Sequence, residues 1–221
     1  MKVHHRPLRG EAASTLVHRK GCATFGARKV HQNTNPQTRM PKLLKRILIA
    51  LVAIVAVGFI AFRFMKMQTK KASPEESYTY FDGDFRLTVN YCRPYKKGRA
   101  IFGGLVPYGQ VWRTGANEAT VLESSGDFTF GGTPVVAGRY TLWTLPGADQ
   151  WEVYLNSGQY NWGVDFDGHA LRDPAKDVAV ARVPVTRLPA PVEQFTILVT
   201  PDGSALSLEW DDVRVAVPIQ H

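Results

Sequence analysis

The chain has 221 residues, 44% of them hydrophobic, two cysteines and a formal net charge of +8. That length allows one ordinary domain plus extra segments, and two cysteines exclude a disulfide scaffold. The charge is lopsided: residues 1–71 hold 15 Lys/Arg against one acid, Glu11 (+14), whereas residues 72–221 hold 12 Lys/Arg against 18 acids (−6). A mildly acidic C-terminal part with no basic face gives no footprint for nucleic acid, so none is expected as a partner.

Residues 1–42 form a basic arm without apolar periodicity, predicted to be disordered. Its four histidines show no metal spacing. Met40 begins Met-Pro-Lys-Leu-Leu-Lys-Arg ahead of an apolar run, as an export signal begins, and is read as the true start of the protein. Ile47 to Phe62 is an uninterrupted apolar run of 16 residues, and its flanks extend it to a transmembrane anchor over residues 43–65. The run ends in large side chains rather than small ones, which argues for an uncleaved anchor. Six Lys/Arg precede it closely and four follow, so the positive-inside rule puts the N-terminus in the cytoplasm and the C-terminal domain outside. Residues 66–83 read as a polar tether holding that domain off the membrane.

From Asp84 onward the hydrophobic period is two. Phe85, Leu87, Val89 and Tyr91 alternate with polar neighbours, and Cys92 closes that strand as a small buried or half-buried residue. With Cys22 on the other side of the apolar run, the two thiols should not meet. Phe128 and Phe130, Arg139 to Leu145, and Trp151 to Asn156 continue the pattern. Val178 to Val185 is a strand with an irregularity expected at Arg182. Phe195 to Val199 turns at Pro201-Asp202-Gly203 into Leu206, Leu208 and Trp210. Asp211-Asp212 reads as a further turn before Val213, Val215, Val217 and Ile219. Eight to ten short strands without a helical segment specify an all-β fold, an antiparallel β-sandwich or barrel-like domain over residues 84–221. By alternation Trp151 and Trp210 belong to the core, while Trp112 and Trp162 lie beside Gly-rich loops as the more exposed pair.

The stretch Gly98 to Glu123, GRAIFGGLVPYGQVWRTGANEATVLE, is dense in glycine and aromatics and concentrates Arg113, Thr114, Asn117 and Glu118. It reads as loop, short strand (Val111-Trp112-Arg113), turn and second strand (Ala119 to Ser124), with Asn117 suited to positive φ in the turn. Further markers follow: Ala137-Gly138-Arg139-Tyr140-Thr141-Leu142, Pro146-Gly147, Trp151, Asn156, Trp162-Gly163 and Trp210. Together these resemble the signature of the DUF2911 family, bacterial domains of unknown function, over about residues 84–219. The resemblance implies a fold and an envelope location, because members often begin with export signals. It implies no reaction.

Tyr108, Trp112, Arg113, Asn117, Glu118 and Trp162 are the candidate ligand-binding residues, and Arg113 and Glu118 flank one turn closely enough to pair. Asp165, Asp167 and His169 alternate in one loop as a weak metal set, with a solvated turn as the plainer reading, and no cofactor is expected. Glu118 with Asp165 or Asp167 is the one carboxylate combination offering acid–base chemistry. Nucleophile-elbow, zincin, phosphate-loop and dinucleotide motifs are absent from the sequence. Three functions remain: a binding module for a small molecule, glycan or envelope partner; a structural envelope part; and a hydrolase using Glu118 with Arg113. A concave pocket holding Arg113, Asn117 and Glu118 favours the first or the last. Mutual satisfaction of those side chains inside a closed loop favours the second.

Overall fold

The computed structural model of the protein describes residues 40–221, and the expectations for residues 1–39 lie outside the described residues. Helix α1 (Lys42–Ala72) contains the whole expected anchor and is long and apolar enough to cross a membrane. Its 31 residues rise about 46 Å, well beyond the ~30 Å of a hydrocarbon core. No glycine or proline interrupts Arg63 to Ala72, so the helix continues past the apolar run. It stops where Pro74 disfavours helical backbone at Ser73. All contacts described below fall within one compact unit, Ile49–His221.

The segment read as a polar tether is therefore ordered. The helix end occupies its first part, and strand β1 (Glu75–Asp82) its second. β1 pairs with β2 (Phe85–Cys92) along its full length, from Glu75↔Cys92 to Asp82↔Phe85. Its composition is polar because it is an edge strand, but Tyr78 and Tyr80 alternate onto the core. The Tyr78 hydroxyl also accepts from the Val199 N–H at 3.2 Å.

Ten strands make two antiparallel sheets, as the alternation predicts. The larger sheet runs β1-β2-β3-β6-β7-β8, adding β3 (Thr120–Ser124), β6 (Gly138–Leu145), β7 (Gln150–Asn156) and β8 (Asp177–Pro184). The smaller runs β5-β4-β10-β9, from β4 (Phe128–Phe130), β5 (Thr133–Val135), β9 (Thr186–Val199) and β10 (Ala205–Gln220). Their facing sides share one core, in which Leu87, Leu122, Leu142 and Trp151 meet Phe130, Phe195, Ile197 and Trp210. Burial of these apolar side chains is the main stabilising term, each contributing about 1.5–3 kcal/mol.

Strand β10 corrects one expectation. Leu206, Leu208 and Trp210 face the core on even numbers, and Val213, Val215, Val217 and Ile219 on odd ones. The parity change reads as a turn in the sequence, but the strand continues through it. Asp211 sits at φ 56° and the pairing with β9 shifts on both sides of it, a β-bulge whose extra residue resets the phase. In β8 the irregularity falls opposite Leu155/Asn156, whereas Arg182 pairs in register with Glu152 and donates to its carboxylate at 2.9 Å.

Central strand β6 is buried on both faces. Leu142 joins the main core, while Trp143 lies under residues 157–176 with Ala119, Tyr154 and Tyr160. Asn156 staples that loop down. Its amide donates to the Asp173 carbonyl (2.7 Å) and the Asp177 carboxylate (2.8 Å), and its oxygen accepts from the Gly158 N–H (2.9 Å). Arg172 lies 3.7 Å above the Tyr154 ring and pairs with Asp177. This covering loop brings Trp162-Gly163 to the signature stretch.

Candidate functional site

The signature folds as the sequence suggests in outline. Val111-Trp112-Arg113 makes a single bridge, Trp112↔Thr144, rather than a strand. Thr114 and Asn117 both take left-handed backbone, φ 56° and 59°, around Gly115. Asn accepts this conformation readily; the β-branched Thr114 does not, and the surroundings hold it there. Its hydroxyl donates to the Trp112 carbonyl and lies within hydrogen-bond reach of Thr144 Oγ1 at 3.2 Å, and its carbonyl accepts from Thr120 Oγ1 at 2.6 Å. A side chain at Gly115 would meet the Cys92 carbonyl at 3.0 Å, so the turn lies directly on the end of β2.

This rigid turn sends its two charged residues to different neighbours. Glu118 bonds Lys70 at 2.7 Å and lies 3.5 Å from Lys66, both on the last turns of α1. The Cys92 thiol donates to the same carboxylate at 3.4 Å, and Lys70 also bonds Glu75 at 2.8 Å. Asn117 is buried and donates to the Ser73 carbonyl at 3.4 Å. Partial burial pulls the Glu118 pKa upward, but the bonds from Lys70 and Cys92 outweigh it and hold the carboxyl below its ordinary value. Burial pushes the Cys92 thiol up, which disfavours the nucleophilic thiolate. The expected Arg113–Glu118 pair is not formed.

Arg113 lines a cleft of about 530 Å³ on the other side of the turn. Its guanidinium has no hydrogen-bond or ion-pair partner among the described residues, and its burial lowers its pKa. Gly163 sets its position. That residue takes φ +66°, and a Cβ there would stand 3.0 Å from Arg113 Cδ and 3.1 Å from Arg113 Cβ. The apolar wall of the cleft is formed by Leu105, Val106, Pro107, Val111, Trp112 and Trp210. Trp112 is half-buried, stacks on Trp210 (centroids 6.0 Å, 16°) and donates from its indole to the Gly115 carbonyl at 3.1 Å. Lys97 and Arg99 also line the cleft, as do Ser73 and Gln110. Arg99 is oriented by the Lys96 carbonyl (3.0 Å) and the Tyr95 carbonyl.

Of the six residues singled out in the sequence, the cleft therefore gathers Trp112 and Arg113. Asn117 and Glu118 face the helix end, with Glu118 in a separate hollow of about 210 Å³. Tyr108 is exposed and its ring covers Gly103, where a Cβ would meet it at 2.8 Å. Trp162 is 38% exposed and does not line the cleft. Sequence reasoning missed Lys66, Lys70, Lys97 and Arg99. The last two sit beside Gly98 at the start of the signature, and Lys97 adopts φ 50°. Asp165, Asp167 and His169 do come together, with ligand atoms within 4.8 Å of one another, but all three are exposed. Asp165 Oδ1 already accepts from the Asp167 and His169 N–H groups. That is the bonding of a solvated turn.

A search of curated proteins and a search of solved structures each returned no match. The DUF2911 family, described as a protein of unknown function, matches over residues 73–219. That range starts at the first residue after the helix and ends inside β10, so it takes in both sheets, the covering loop and the cleft. The chain belongs to the DUF2911 family.

Proposed function

We propose that the protein is a single-pass anchor of the bacterial cytoplasmic membrane carrying an extracytoplasmic binding module. Its ligand is a small molecule, or a glycan or other envelope component small enough to enter the cleft. One observation carries this reading: Arg113, half-buried in the wall of a 530 Å³ cleft, has no partner among the described residues. A desolvated cation costs free energy unless it is paired, and the cleft has the volume usual for small-molecule sites. The asymmetry of Lys/Arg about the apolar run and the family's association with export support the orientation.

A specific observation also favours the structural reading for half of the signature. Asn117 and Glu118 are satisfied inside the fold and bind the end of α1, as a fastening would. The depressed pKa of Glu118 fits that role and not that of a general acid, which needs a raised one. The two readings divide the loop between them: one turn fastens with Glu118 and presents Arg113.

The test is a thermal-shift screen of the full chain in nonionic detergent against sugars, peptidoglycan fragments, nucleotides and organic acids, run beside Ala116→Phe, which fills the cleft. A ligand that binds the folded state raises the melting temperature. A hit lost in Ala116→Phe supports the cleft as the site. Hits untouched by that substitution would overturn the cleft as the site, and no hit at millimolar ligand would leave the domain as a structural part.

A further inference from the structure

We infer that the cleft takes a small organic oxyanion, a carboxylate or a phosphate ester on an apolar body, with the Arg113 guanidinium as its anchor. The inference rests on the cleft being a ligand site and adds the chemistry it would recognise. Among the described residues three cations line the cleft, Lys97, Arg99 and Arg113, and no Asp or Glu lines it. This happens on a domain whose residues 72–221 carry a net charge of −6, so the local sign opposes the global one.

The other cations nearby are held in ion pairs, and these three are in none among the described residues. Lys96 pairs with Asp211, Arg93 with Glu76 and Lys70 with both Glu75 and Glu118. By contrast the Lys97 ammonium contacts, among the described residues, only the Tyr95 ring, 5.8 Å from its centroid. Arg99 donates to backbone carbonyls, which fix its orientation and leave its charge uncompensated. Arg113 has neither kind of partner among the described residues, and Glu118 acts on it only at longer range. An arginine fork matches the two oxygens of a carboxylate or phosphate, and the match strengthens where water is partly excluded. Gly163, held in left-handed backbone against the arginine stem, makes the placement of that fork a property of the fold.

The remaining lining defines the rest of the ligand. Leu105, Val106, Pro107 and Trp112 offer apolar surface, so the anionic group is carried on a hydrocarbon or aromatic body. Gln110 is a neutral hydrogen-bonding group in the same wall. A fully charged polyanion would leave this wall unused.

The experiment titrates the full chain in nonionic detergent with benzoate, phenyl phosphate and the neutral analogue benzamide, reading the melting temperature and the heat of binding. Benzoate or phenyl phosphate should bind and benzamide should not, and the tighter of the two anions identifies the oxyanion. Arg113→Gln should weaken binding about 10- to 100-fold, the range for a lost charge-assisted contact. Should Arg113→Gln fail to fold, the exposed Lys97→Gln and Arg99→Gln carry the test, each weakening binding and its salt dependence. Equal binding of benzamide and benzoate would overturn the oxyanion inference while leaving the cleft a ligand site. Anion binding indifferent to all three substitutions would overturn it too, by placing the anion elsewhere. Failure of both anions beside a hit in the broader screen would end this inference alone, and failure in both experiments would end the binding reading with it.

Discussion

Gly163→Ala tests whether the covering loop positions Arg113. The glycine has φ +66°, where an L side chain costs about 1–2 kcal/mol. The new Cβ would also stand 3.0 Å from Arg113 Cδ, 3.1 Å from Arg113 Cβ and 3.3 Å from Ala119 Cα, all inside the ~3.5–4.0 Å optimum for carbon pairs. The arginine stem must give by a few tenths of an ångström, and the Ala119 backbone behind it cannot. A total loss of about 2–3 kcal/mol follows, or about 4–12 °C for a domain of this size. The control is Gly132→Ala, at φ +84° with nothing within 4 Å, which carries the backbone cost alone. The assay is thermal unfolding of the full chain in detergent, followed by tryptophan fluorescence. Gly163→Ala should melt below Gly132→Ala, and benzoate or phenyl phosphate binding should weaken in Gly163→Ala only. If the two variants melt together and bind alike, Gly163 does not set the position of Arg113 and the reasoning fails.

Three further outcomes follow from the site, the core and the surface. Glu118→Gln should lower stability at neutral pH by about 0.5–1 kcal/mol, a modest figure because the ion pair is partly exposed. Since folding depresses the Glu118 pKa, its contribution is complete above the unfolded value of about 4.3 and disappears as pH falls through the folded one. Melting curves of wild type and variant should therefore converge as the pH falls through the depressed folded value, and a gap that persists in acid would refute the charge pairing. Trp210→Ala, at a fully buried position stacked against Trp112, should cost about 3–5 kcal/mol. Trp162→Ala should stay within about 0.5 kcal/mol in the same thermal melts, as expected of an exposed side chain.

The sheets were legible because a half-buried strand writes its burial every second residue. Leu87, Val89 and Tyr91 announce β2, and Phe195, Ile197 and Val199 announce the inner end of β9. What failed were places where two structures leave the same trace. A parity change at Asp211 is as compatible with a turn as with a bulge, and only the partner strand decides. Strand β1 was hidden because an edge strand exposes more of itself, so Tyr78 and Tyr80 sit among polar neighbours. The signature turn was recognisable, including the left-handed Asn117, yet the directions of Arg113 and Glu118 were not. Those depend on the end of α1 and on Gly163, which stand 48 residues before Glu118 (Lys70) and 50 residues after Arg113.

The unbroken run of α1 into the domain has a mechanical meaning. Only Ser73 and Pro74 separate the helix from β1, and proline fixes one of their few free torsions. Lys66 and Lys70 then clasp Glu118 from the side, so the joint is braced at two points. A flexible leash would let the domain sweep a wide volume and meet partners in any attitude. A braced lever does not: the domain turns when the helix turns, and whatever holds the apolar run holds the bearing of the cleft, whose lining includes Ala72 and Ser73 at the helix's own end.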